Sequence, residues 1–451
     1  SYSLGYFGFD TDGFRLNHDL EQRIANAFVQ VELGHRTGVQ AELRGTDERS
    51  GDRRLLFDRA NFQPGERRNV DTWSGRVGFR HAFAPGSVAI GNYTTAGADG
   101  TLDIDSELDI DTEEDTQFLE AQHLFRSPRF ATTAGYGRFR GTTDETIAFG
   151  RFPPQQDVTE ARHDNAYGYV TVIAPRSTTL TIGVSADFLR DVFAETNQVN
   201  PKVGVTWKPS GQVTVRGAAF RALKRSLIGS QTIEPTHVAG FNQFFDDISG
   251  TDAWRYGAGV DVSSTSVGHA ANGRSLYFGA EVSRRDLNVP VGLFGQPGAA
   301  SALDHSESLV RSYVYWIPHP WVAVTTAYFL ERFVRDDEAT NAEGLARSTS
   351  HRLPMELGFY HPSRVFLKPR ITYARQSGRF QSAPLGIAEG DSSFWIFDLS
   401  AGYRFPRRWG LLSVQLLNAF DADVVYQESQ PSNSLLSRRR AVFAGLTLPV
   451  W

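Results

Sequence analysis

The stretch LTIGVSADF, residues 180–188, alternates apolar side chains with small or polar ones. A β-strand places successive side chains on opposite faces of its sheet, so this stretch predicts a strand with one apolar and one polar face. The predicted apolar face consists of Leu180, Ile182, Val184, Ala186 and Phe188. The predicted polar face consists of Thr181, Gly183, Ser185 and Asp187.

The same alternation recurs along the chain, for example at residues 24–34, 39–46 and 394–405. The composition includes 42 Gly, 32 Phe, 15 Tyr and 8 Trp, a mixture that favours strands and turns over helices. No run of about 18 apolar residues occurs, which excludes transmembrane helices. The chain has no cysteine, so disulfides, thiolate metal sites and cysteine nucleophiles are excluded. These features predict an all-β protein.

Short and long connections alternate between the predicted strands. Turn-rich links such as 35–38, 84–87 and 318–320 alternate with longer polar links such as 48–70, 96–113, 141–160, 227–251, 288–304, 379–391 and 421–437. A transmembrane barrel has this asymmetry, because short turns face the periplasm and long loops face outside. The upward strands are predicted to begin near residues 2, 38, 87, 130, 178, 212, 274, 321, 364 and 409. The downward strands are predicted to begin near residues 22, 71, 113, 161, 200, 252, 305, 349, 392 and 438.

The alternative all-β fold is a soluble propeller, which should show a repeat of about 40–50 residues. No such repeat occurs in this sequence. Aromatic residues also cluster beside the turns, as in the interfacial girdles of membrane barrels. We therefore predict a closed antiparallel transmembrane β-barrel of about 20 strands (18 to 22). It would comprise residues 1–451 as a single domain, the mature or C-terminal part of a longer precursor.

The C-terminal stretch FAGLTLPVW, residues 443–451, resembles the assembly signal of bacterial outer-membrane proteins. The matching residues are Gly445, Leu448, Val450 and Trp451, whereas Phe443 stands where that class more often has a polar residue. The resemblance implies recognition by the outer-membrane assembly machinery. On this basis we expect the last strand to pair with the first strand near residues 2–9, and Trp451 to lie at the periplasmic interface.

Two further stretches resemble the barrels of TonB-dependent transporters. They are LLNAFDADVVYQE at 416–428 and NPKVGVTWKPSGQVTVRGAAFRA at 200–222. Those transporters have 22 strands and an N-terminal plug, whereas here the first predicted strand begins almost at Ser1. The chain is therefore similar to a plug-less barrel of that kind, or to the barrels of tetratricopeptide-linked exporters, for which no residue motif was found.

The polar faces of the predicted strands carry charges of both signs, as a water-filled or occupied lumen requires. We expect these charges to form cross-strand ion pairs or an arginine-rich track with a weak preference for anions. The candidates are Arg44, Arg76, Arg80, Arg138, Arg140, Arg216, Arg255, Arg285, Arg352, Arg370, Arg404, Glu32, Glu42, Glu120, Asp187, Asp261, Glu281, Glu356 and Asp398.

A 20-stranded barrel left empty would be a wide hole, so something should narrow it. The candidate is the segment 227–251, because Phe241, Phe244 and Phe245 would rarely be free in water. The alternative is that these rings pack on neighbouring loops outside the barrel.

The link at 99–116 carries carboxylates at Asp103, Asp105, Glu107, Asp109 and Asp111. Such a cluster can hold Ca²⁺, although the spacing is not that of an EF-hand and a solvated charge run is the simpler interpretation. No other cofactor is expected.

We expect a bacterial outer-membrane channel or transporter that passes solutes or a polymer. The alternatives are a structural barrel that anchors a periplasmic or extracellular partner, and a TonB-dependent receptor barrel without its plug. Enzymatic activity is not expected, because no H-E-x-x-H, G-x-S-x-G or P-loop motif occurs. The expected partners are outer-membrane lipid, lipopolysaccharide, the assembly machinery and a periplasmic domain or protein, with no nucleic acid.

Overall fold

The structure is a computed structural model that describes residues 1–105, 107–175, 177–191, 194–264, 275–293, 296–335, 344–383 and 386–448. Among these residues, no helix is long and apolar enough to cross a membrane. The first strands are β1 (Tyr2–Thr11), β2 (Leu20–Gly34), β3 (Thr37–Ser50), β4 (Glu66–Ala84), β5 (Ser87–Ile104), β6 (Leu108–Arg126), β7 (Phe130–Phe149), β8 (Gln155–Ala174), β9 (Thr178–Arg190), β10 (Glu195–Trp207) and β11 (Val213–Leu223). The remaining strands are β12 (His237–Val238), β13 (Phe241–Asn242), β14 (Asp252–Ser263), β15 (Ser275–Leu293), β16 (Gln296–His319), β17 (Val322–Arg335), β18 (Leu345–Tyr360), β19 (Val365–Ser382), β20 (Gly386–Arg404), β21 (Leu411–Leu417) and β22 (Ala441–Thr447).

A single antiparallel sheet of 20 strands contains all of these except the two-residue strands β12 and β13. Each strand of the sheet pairs with the next one along the chain, and β11 pairs with β14. The predicted all-β fold and the predicted number of strands are confirmed.

Strand starts were predicted well on one side of the sheet and poorly on the other. Strands that follow a short turn begin within two residues of the prediction, as at Ser87, Phe130 and Thr178. Most strands that follow a predicted long link begin earlier, and β16 starts at Gln296 instead of 305; β14 begins at the predicted residue 252, and β22 begins later, at Ala441 instead of 438. The predicted loops at 96–113, 141–160, 288–304 and 379–391 were wrong, because most of their residues continue the flanking strands. Beyond the lipid both faces of a strand are polar, so composition there resembles that of a loop.

The outer face of the sheet carries exposed apolar side chains, including Ile182, Val184 and Phe188 of the LTIGVSADF stretch. Its neighbours Ser185 and Asp187 are buried on the inner face. Exposed aromatic rings lie beside the short turns, at Phe83, Phe130, Trp207, Trp321 and Trp409. A lipid-facing apolar surface bordered by aromatic residues is the arrangement expected of a transmembrane barrel.

Loops bring the two ends of the sheet together. The β3–β4 loop, residues 51–65, is called the seam loop; it contacts strands and loops at the far end of the sequence. Phe57 stacks on Phe380 of β19 with ring centroids 4.1 Å apart, and its amide donates to Gln427. The Leu55 amide donates to the Pro431 carbonyl at 3.1 Å. In the described part of the chain no backbone register joins β22 to β1, so their expected pairing stays a prediction.

The β21–β22 loop, residues 418–440, is called the C-terminal loop and packs on the inner face of β19 and β20. Val424, Tyr426 and Leu436 are buried against Phe394 and Ile396. The side chain of Gln376 donates to the Gln427 carbonyl at 2.7 Å and accepts from the Gln427 amide at 2.8 Å. The stretch LLNAFDADVVYQE therefore leaves β21 and returns into the lumen.

Candidate functional site

The β11–β14 connection, residues 224–251, folds into the lumen and is called the inner segment. It covers inward-facing polar side chains of β6 to β10, so that Glu120, Asn165, Asp187, Asn200 and Lys202 are all buried. Burying polar groups is costly unless they find partners, so these contacts define where the segment must lie.

A small hairpin, β12 and β13, forms the centre of the inner segment. Its turn residues Ala239 and Gly240 have φ angles of 47° and 88°, as a two-residue turn with left-handed geometry requires. The hairpin places Val238 and Phe241 against Phe220 of β11, where all three are almost fully buried. The Phe241 ring also lies directly over Gly257 of β14, where a methyl group would overlap it. Gly257 thus leaves room for the ring of Phe241 to pack directly on the backbone of β14.

Arginine side chains of the wall and the segment lie over the three phenylalanine rings predicted to narrow the barrel. Arg216 and Arg255 lie 5.4 and 5.8 Å from the centroid of Phe241. Arg225 lies 5.0 Å from that of Phe244, and Arg285 lies 3.7 Å from that of Phe245. A guanidinium over an aromatic face is attractive, most strongly where water is excluded. Phe241 and Phe245 therefore face the wall of the lumen, whereas Phe244 packs on Arg225 within the segment and lines the cavity beside it.

A buried ion-pair network holds the start of the inner segment. Arg225 pairs with Glu234 of the same segment at 2.9 Å, and both side chains are almost completely buried. Arg225 also donates to Asn165 of β8 at 2.8 Å. Asn165 and Asn200 in turn donate to Asp187 of β9 at 2.9 and 2.6 Å. The network links the segment to three neighbouring strands.

The charge state of Arg225 follows from these neighbours. Burial lowers the pKa of Arg225, but the carboxylates of Glu234 and Asp187 outweigh it and raise that pKa above its ordinary value. The guanidinium therefore stays charged at every physiological pH, and its ion pair with Glu234 is retained over that range.

A second anchor lies on β6. Glu120 accepts hydrogen bonds from the Ile233 amide at 3.0 Å and from the Thr232 hydroxyl at 2.5 Å. Its neighbour on the same face, Gln122, donates to the Ile233 carbonyl at 2.7 Å. Glu120 and Gln122 thus bond to both backbone polar groups of Ile233, its amide and its carbonyl, and hold this part of the segment against β6.

A cavity of about 1120 Å³ remains between the inner segment and the walls of β3 to β8. Arg76 reaches across it, bonding to Glu42 on the wall and to Gln231 in the segment. Phe118 and Phe139 contribute apolar lining, and the charged lining is mixed, with Arg44 and Lys224 against Glu114 and Asp246. The volume suits a small-molecule ligand that offers both polar and aromatic contacts.

Most of the predicted lumen charges share the inner face. Arg216 pairs with Asp261 at 2.9 Å and Glu281 at 3.1 Å, Arg285 with Glu307 at 2.7 Å, and Arg352 with Glu428 at 3.9 Å. Arg370 lies opposite both Glu356 and Asp398 in the strand registers. The inner face by register and alternation also includes Arg44, Arg80, Arg255, Arg404 and Glu32.

Arg138 and Arg140 lie on the outer face instead of the lumen. Arg138 lies opposite Leu119 and pairs with Asp164 at 3.0 Å, whereas the intervening Phe139 is buried inside. The predicted alternation of β7 was correct, but the face that carries Arg138 and Arg140 was assigned to the lumen although it is the outer face. Near the outer end of a strand both faces are polar, and here the apolar ring faces the lumen.

The sequence did not reveal the central residues of the buried network, Arg225, Glu234, His163 and Tyr169. His163 lies within 3.0 Å of Asp187, and Tyr169 bonds to Glu234 at 2.5 Å. His163 and Tyr169 alternate with outward residues on β8, so periodicity could have placed them inward. Arg225 and Glu234 lie in a loop, where periodicity gives no information.

The carboxylates considered for calcium lie on the hairpin of β5 and β6. Asp103 faces Asp109 across it, while Asp105, Glu107, Asp109 and Asp111 are exposed. No group of three or more acidic or histidine side chains is arranged to hold a metal ion within the described ranges. Of the assembly-signal residues, Gly445 lies in β22 opposite Ser413 and Leu448 is exposed, whereas Val450 and Trp451 lie outside the described residues.

Known proteins resemble this chain in fold but not in sequence. No protein-family model and no curated protein sequence matches the chain. Among solved structures, the ferripyoverdine receptor of the outer membrane of Pseudomonas aeruginosa aligns with a TM-score of 0.69 at 10% identity, over 96% of this chain and 65% of the receptor. The chain has the fold of an outer-membrane receptor barrel.

Other structures with this receptor-barrel fold also align over almost the whole chain. The ferric citrate transporter FecA gives a TM-score of 0.70 at 12% identity, covering 99% of this chain and 73% of the transporter. The siderophore receptor PiuA of Acinetobacter baumannii gives 0.69 at 10% identity, covering 99% and 77%. This chain spans just under two thirds of the ferripyoverdine receptor. These proteins are receptors and a transporter, not enzymes, and the fold agrees with the expected location in the outer membrane of a Gram-negative bacterium.

Proposed function

We propose that the chain forms an outer-membrane transport barrel with a restricted passage, in which the inner segment separates the mouth from the lower lumen. The supporting observation is the burial of the hairpin β12–β13 and of the Arg225–Glu234 pair against the wall. A segment bound by a charged network, cation–π contacts and a packed apolar cluster does not leave an open diffusion pore.

Single-channel conductance in planar bilayers tests this proposal. We expect the full chain to conduct far less than an open barrel of its width. Replacing residues 226–249 by a short glycine linker should give large, steady openings. An open-pore conductance for the unmodified chain would contradict the proposal.

An engineered disulfide between the inner segment and the wall tests the same proposal reversibly. The chain has no cysteine, and a Cβ at Gly204 of β10 would lie 2.8 Å from the Cβ of Ala239. The double variant Gly204→Cys, Ala239→Cys should therefore form a disulfide after a small shift. Oxidation should abolish any gated opening and reduction should restore it, while either single variant should respond to neither treatment. Gating that survives oxidation would show that the segment does not move during passage.

We further propose that the solute is a metal chelate bound in the cavity beside Arg76. Support comes from the size and mixed lining of the cavity, and from the fold shared with receptors for ferripyoverdine and ferric citrate. Titration with ferric citrate and a panel of ferric siderophores should give saturable binding that Arg76→Ala weakens. Absence of binding to every chelate, combined with absence of conductance, would favour the structural alternative, a barrel that anchors a partner.

We also propose a weak preference for anions. Arg44 and Arg76 at the cavity support it, whereas Glu42, Glu114 and Glu120 in the same lining oppose it. The reversal potential of the linker variant in a salt gradient measures the preference directly, and cation selectivity would refute it.

A further inference from the structure

Carboxylates form a row on the outer face of the sheet. Asp71 of β4 lies directly opposite Asp99 of β5, which lies directly opposite Glu113 of β6. Asp47 of β3 and Asp144 of β7 extend the row at its two ends. Like charges directly opposite each other destabilise a sheet. Within the described ranges, the ion pairs of β4 to β7 involve neither Asp99 nor Glu113, so the row needs compensation from elsewhere.

Arginines form a second row beside the first, on the same outer face. Arg140 of β7 lies directly opposite Arg162 of β8, which lies directly opposite Arg190 of β9. Arg162 pairs with Glu160 at 2.5 Å and Arg190 with Glu195 at 3.1 Å, but all four side chains are largely exposed. Exposed ion pairs contribute little, so these arginines exchange readily to other carboxylates. β7 therefore separates an acidic half of this surface from a basic half.

The charges of the two halves lie at one height on the barrel. Asp99 of β5 and Arg190 of β9 each lie 12 residues from the short-turn end of their strand. Glu113 of β6 and Arg162 of β8 lie 13 and 12 residues from the short-turn ends of theirs. The strands of a barrel share a common tilt, so equal distances along them correspond to equal heights. The opposite charges are thus arranged symmetrically about β7, one strand and two strands away on either side.

We propose that two copies of the chain pair in the membrane about a two-fold axis beside β7. Barrels in one membrane share their orientation, so a two-fold axis along the membrane normal turns β6 of one copy towards β8 of the other. Glu113 then meets Arg162 of the partner subunit, and the same contact occurs twice. Asp99 faces Arg190 of the partner subunit across a wider gap, because the two barrel walls curve apart. Each row compensates the other only in the pair, and the proposal does not depend on the transported solute.

Disulfide cross-linking of the full chain tests the pairing. Because the chain has no cysteine, a single engineered cysteine reports only on a second copy. Thr142, an exposed outward residue of β7, lies 12 residues from the short-turn end of its strand and would lie beside the axis. Thr142→Cys should therefore oxidise to a covalent dimer in phosphatidylcholine vesicles. The matched control is Ser306→Cys on the outward face of β16, 13 residues from the short-turn end of that strand, which should stay monomeric.

Charge reversal identifies the residues that pair. Glu113→Lys and Arg162→Glu should each slow the cross-linking of Thr142→Cys about tenfold, because each turns two symmetry-related attractions into repulsions. Within one barrel the same changes relieve repulsion, since Glu113→Lys places a positive charge between Asp99 and Asp144. The heat resistance of the folded barrel on an SDS gel should therefore not fall, which separates loss of pairing from loss of folding.

Combining both reversals in one chain should restore the rate of cross-linking. The two positions lie two strands and four residues out of register on one barrel, roughly 16 Å apart, so the recovery requires a second copy. Unchanged rates in the single reversals, no recovery in the combined variant, or equal dimer yields from Thr142→Cys and Ser306→Cys would each overturn the proposal. A dimer in vesicles but not in isolated outer membranes would assign the arginines to lipid and overturn it as well.

Discussion

At the scale of single residues, the structure depends on a few buried charges whose partners come from distant parts of the chain. Arg225 contacts a carboxylate nine residues away in the inner segment and an amide sixty residues away on β8. Removing one member of such a pair leaves the other charge buried without compensation, which costs more than the pair itself contributes.

Arg225→Met should therefore destabilise the inner segment by about 3–5 kcal/mol, because Glu234 and Asp187 lose their buried counter-charge. Hydrogen exchange of residues 224–251 measures the effect. Adding Glu234→Gln to the same chain should restore part of the protection. Arg190→Met removes an exposed arginine and should leave exchange in the segment unchanged. Equal protection in the Arg225 variant would show that the network does not hold the segment.

Gly257 is the second sensitive position, because the ring of Phe241 occupies the space of its missing side chain. Gly257→Ala should displace Phe241 at a cost of about 1–3 kcal/mol, typical of an overpacked core. Chymotrypsin should then cleave within residues 241–245 faster than in the parent chain. The control is Gly168→Ala, a strand glycine with no atom near the added methyl group. Unchanged cleavage in the Gly257 variant would contradict the packing of Phe241 on Gly257.

At the scale of elements, loops and not strands determine the contents of the lumen. The inner segment, the seam loop and the C-terminal loop each turn inward, and the C-terminal loop contacts the other two. Gln430 of the C-terminal loop donates to Asp246 of the inner segment at 2.8 Å. The C-terminal loop is therefore the only one of the three that contacts both others through hydrogen bonds among the described residues.

The seam loop should respond to acid. Burial raises the pKa of Asp52, but hydrogen bonds from Arg54 and from the amide of Gln63 outweigh it and hold that pKa below its ordinary value. A lowered pKa stabilises the folded loop above the ordinary pKa of aspartate, and this stabilisation is lost as the pH falls through the lower folded value. The rate of amide hydrogen exchange in residues 51–65, relative to the intrinsic rate at each pH, should rise only below about pH 4. In Asp52→Asn the exchange should already be fast at neutral pH and lack this acid transition.

Phe57 contributes the aromatic part of the contact between the two ends of the sheet, beside the hydrogen bond from Leu55 to Pro431. Phe57→Ala removes a stacked ring pair worth about 1 kcal/mol beyond its buried area. The barrel should then lose its folded, fast-migrating form at a lower temperature on an SDS gel. Phe152→Ala, which removes a largely exposed ring, should leave that temperature unchanged. An equal effect of both variants would show that the seam loop does not hold the ends of the sheet together.

At the scale of the whole molecule, the sequence alone predicted the architecture because membrane barrels repeat one simple pattern. Alternation and short turns located ten strand starts to within two residues, as at Tyr2, Thr37 and Val365. Long connections were harder to interpret, because a polar strand above the membrane and a polar loop have the same composition.

The interior of the lumen was less accessible to sequence analysis. Alternation placed Glu42, Arg216 and Asp261 on the inner face, since the side chains of a strand alternate between its two faces. It could not identify Arg225 or Glu234, because their positions depend on how an irregular loop folds back. It also assigned Arg138 and Arg140 to the wrong face, because neither face of that strand end is clearly apolar.

The length of β7 and β8 sets the height of the rim. Each strand has 20 residues, about 65 Å at 3.3 Å per residue, or roughly 50 Å along the axis of a barrel with 40° tilt. An apolar band of about 25 Å accounts for half of that height. Because the periplasmic turns are short, the surplus forms a wall that stands clear of the headgroups. Sugar chains of neighbouring lipids would meet the side of this wall and not its opening, so solutes could enter from above the carbohydrate layer. Antibodies and bacteriophages that reach the cell would in turn encounter rigid strand surface, with few flexible loops on that side.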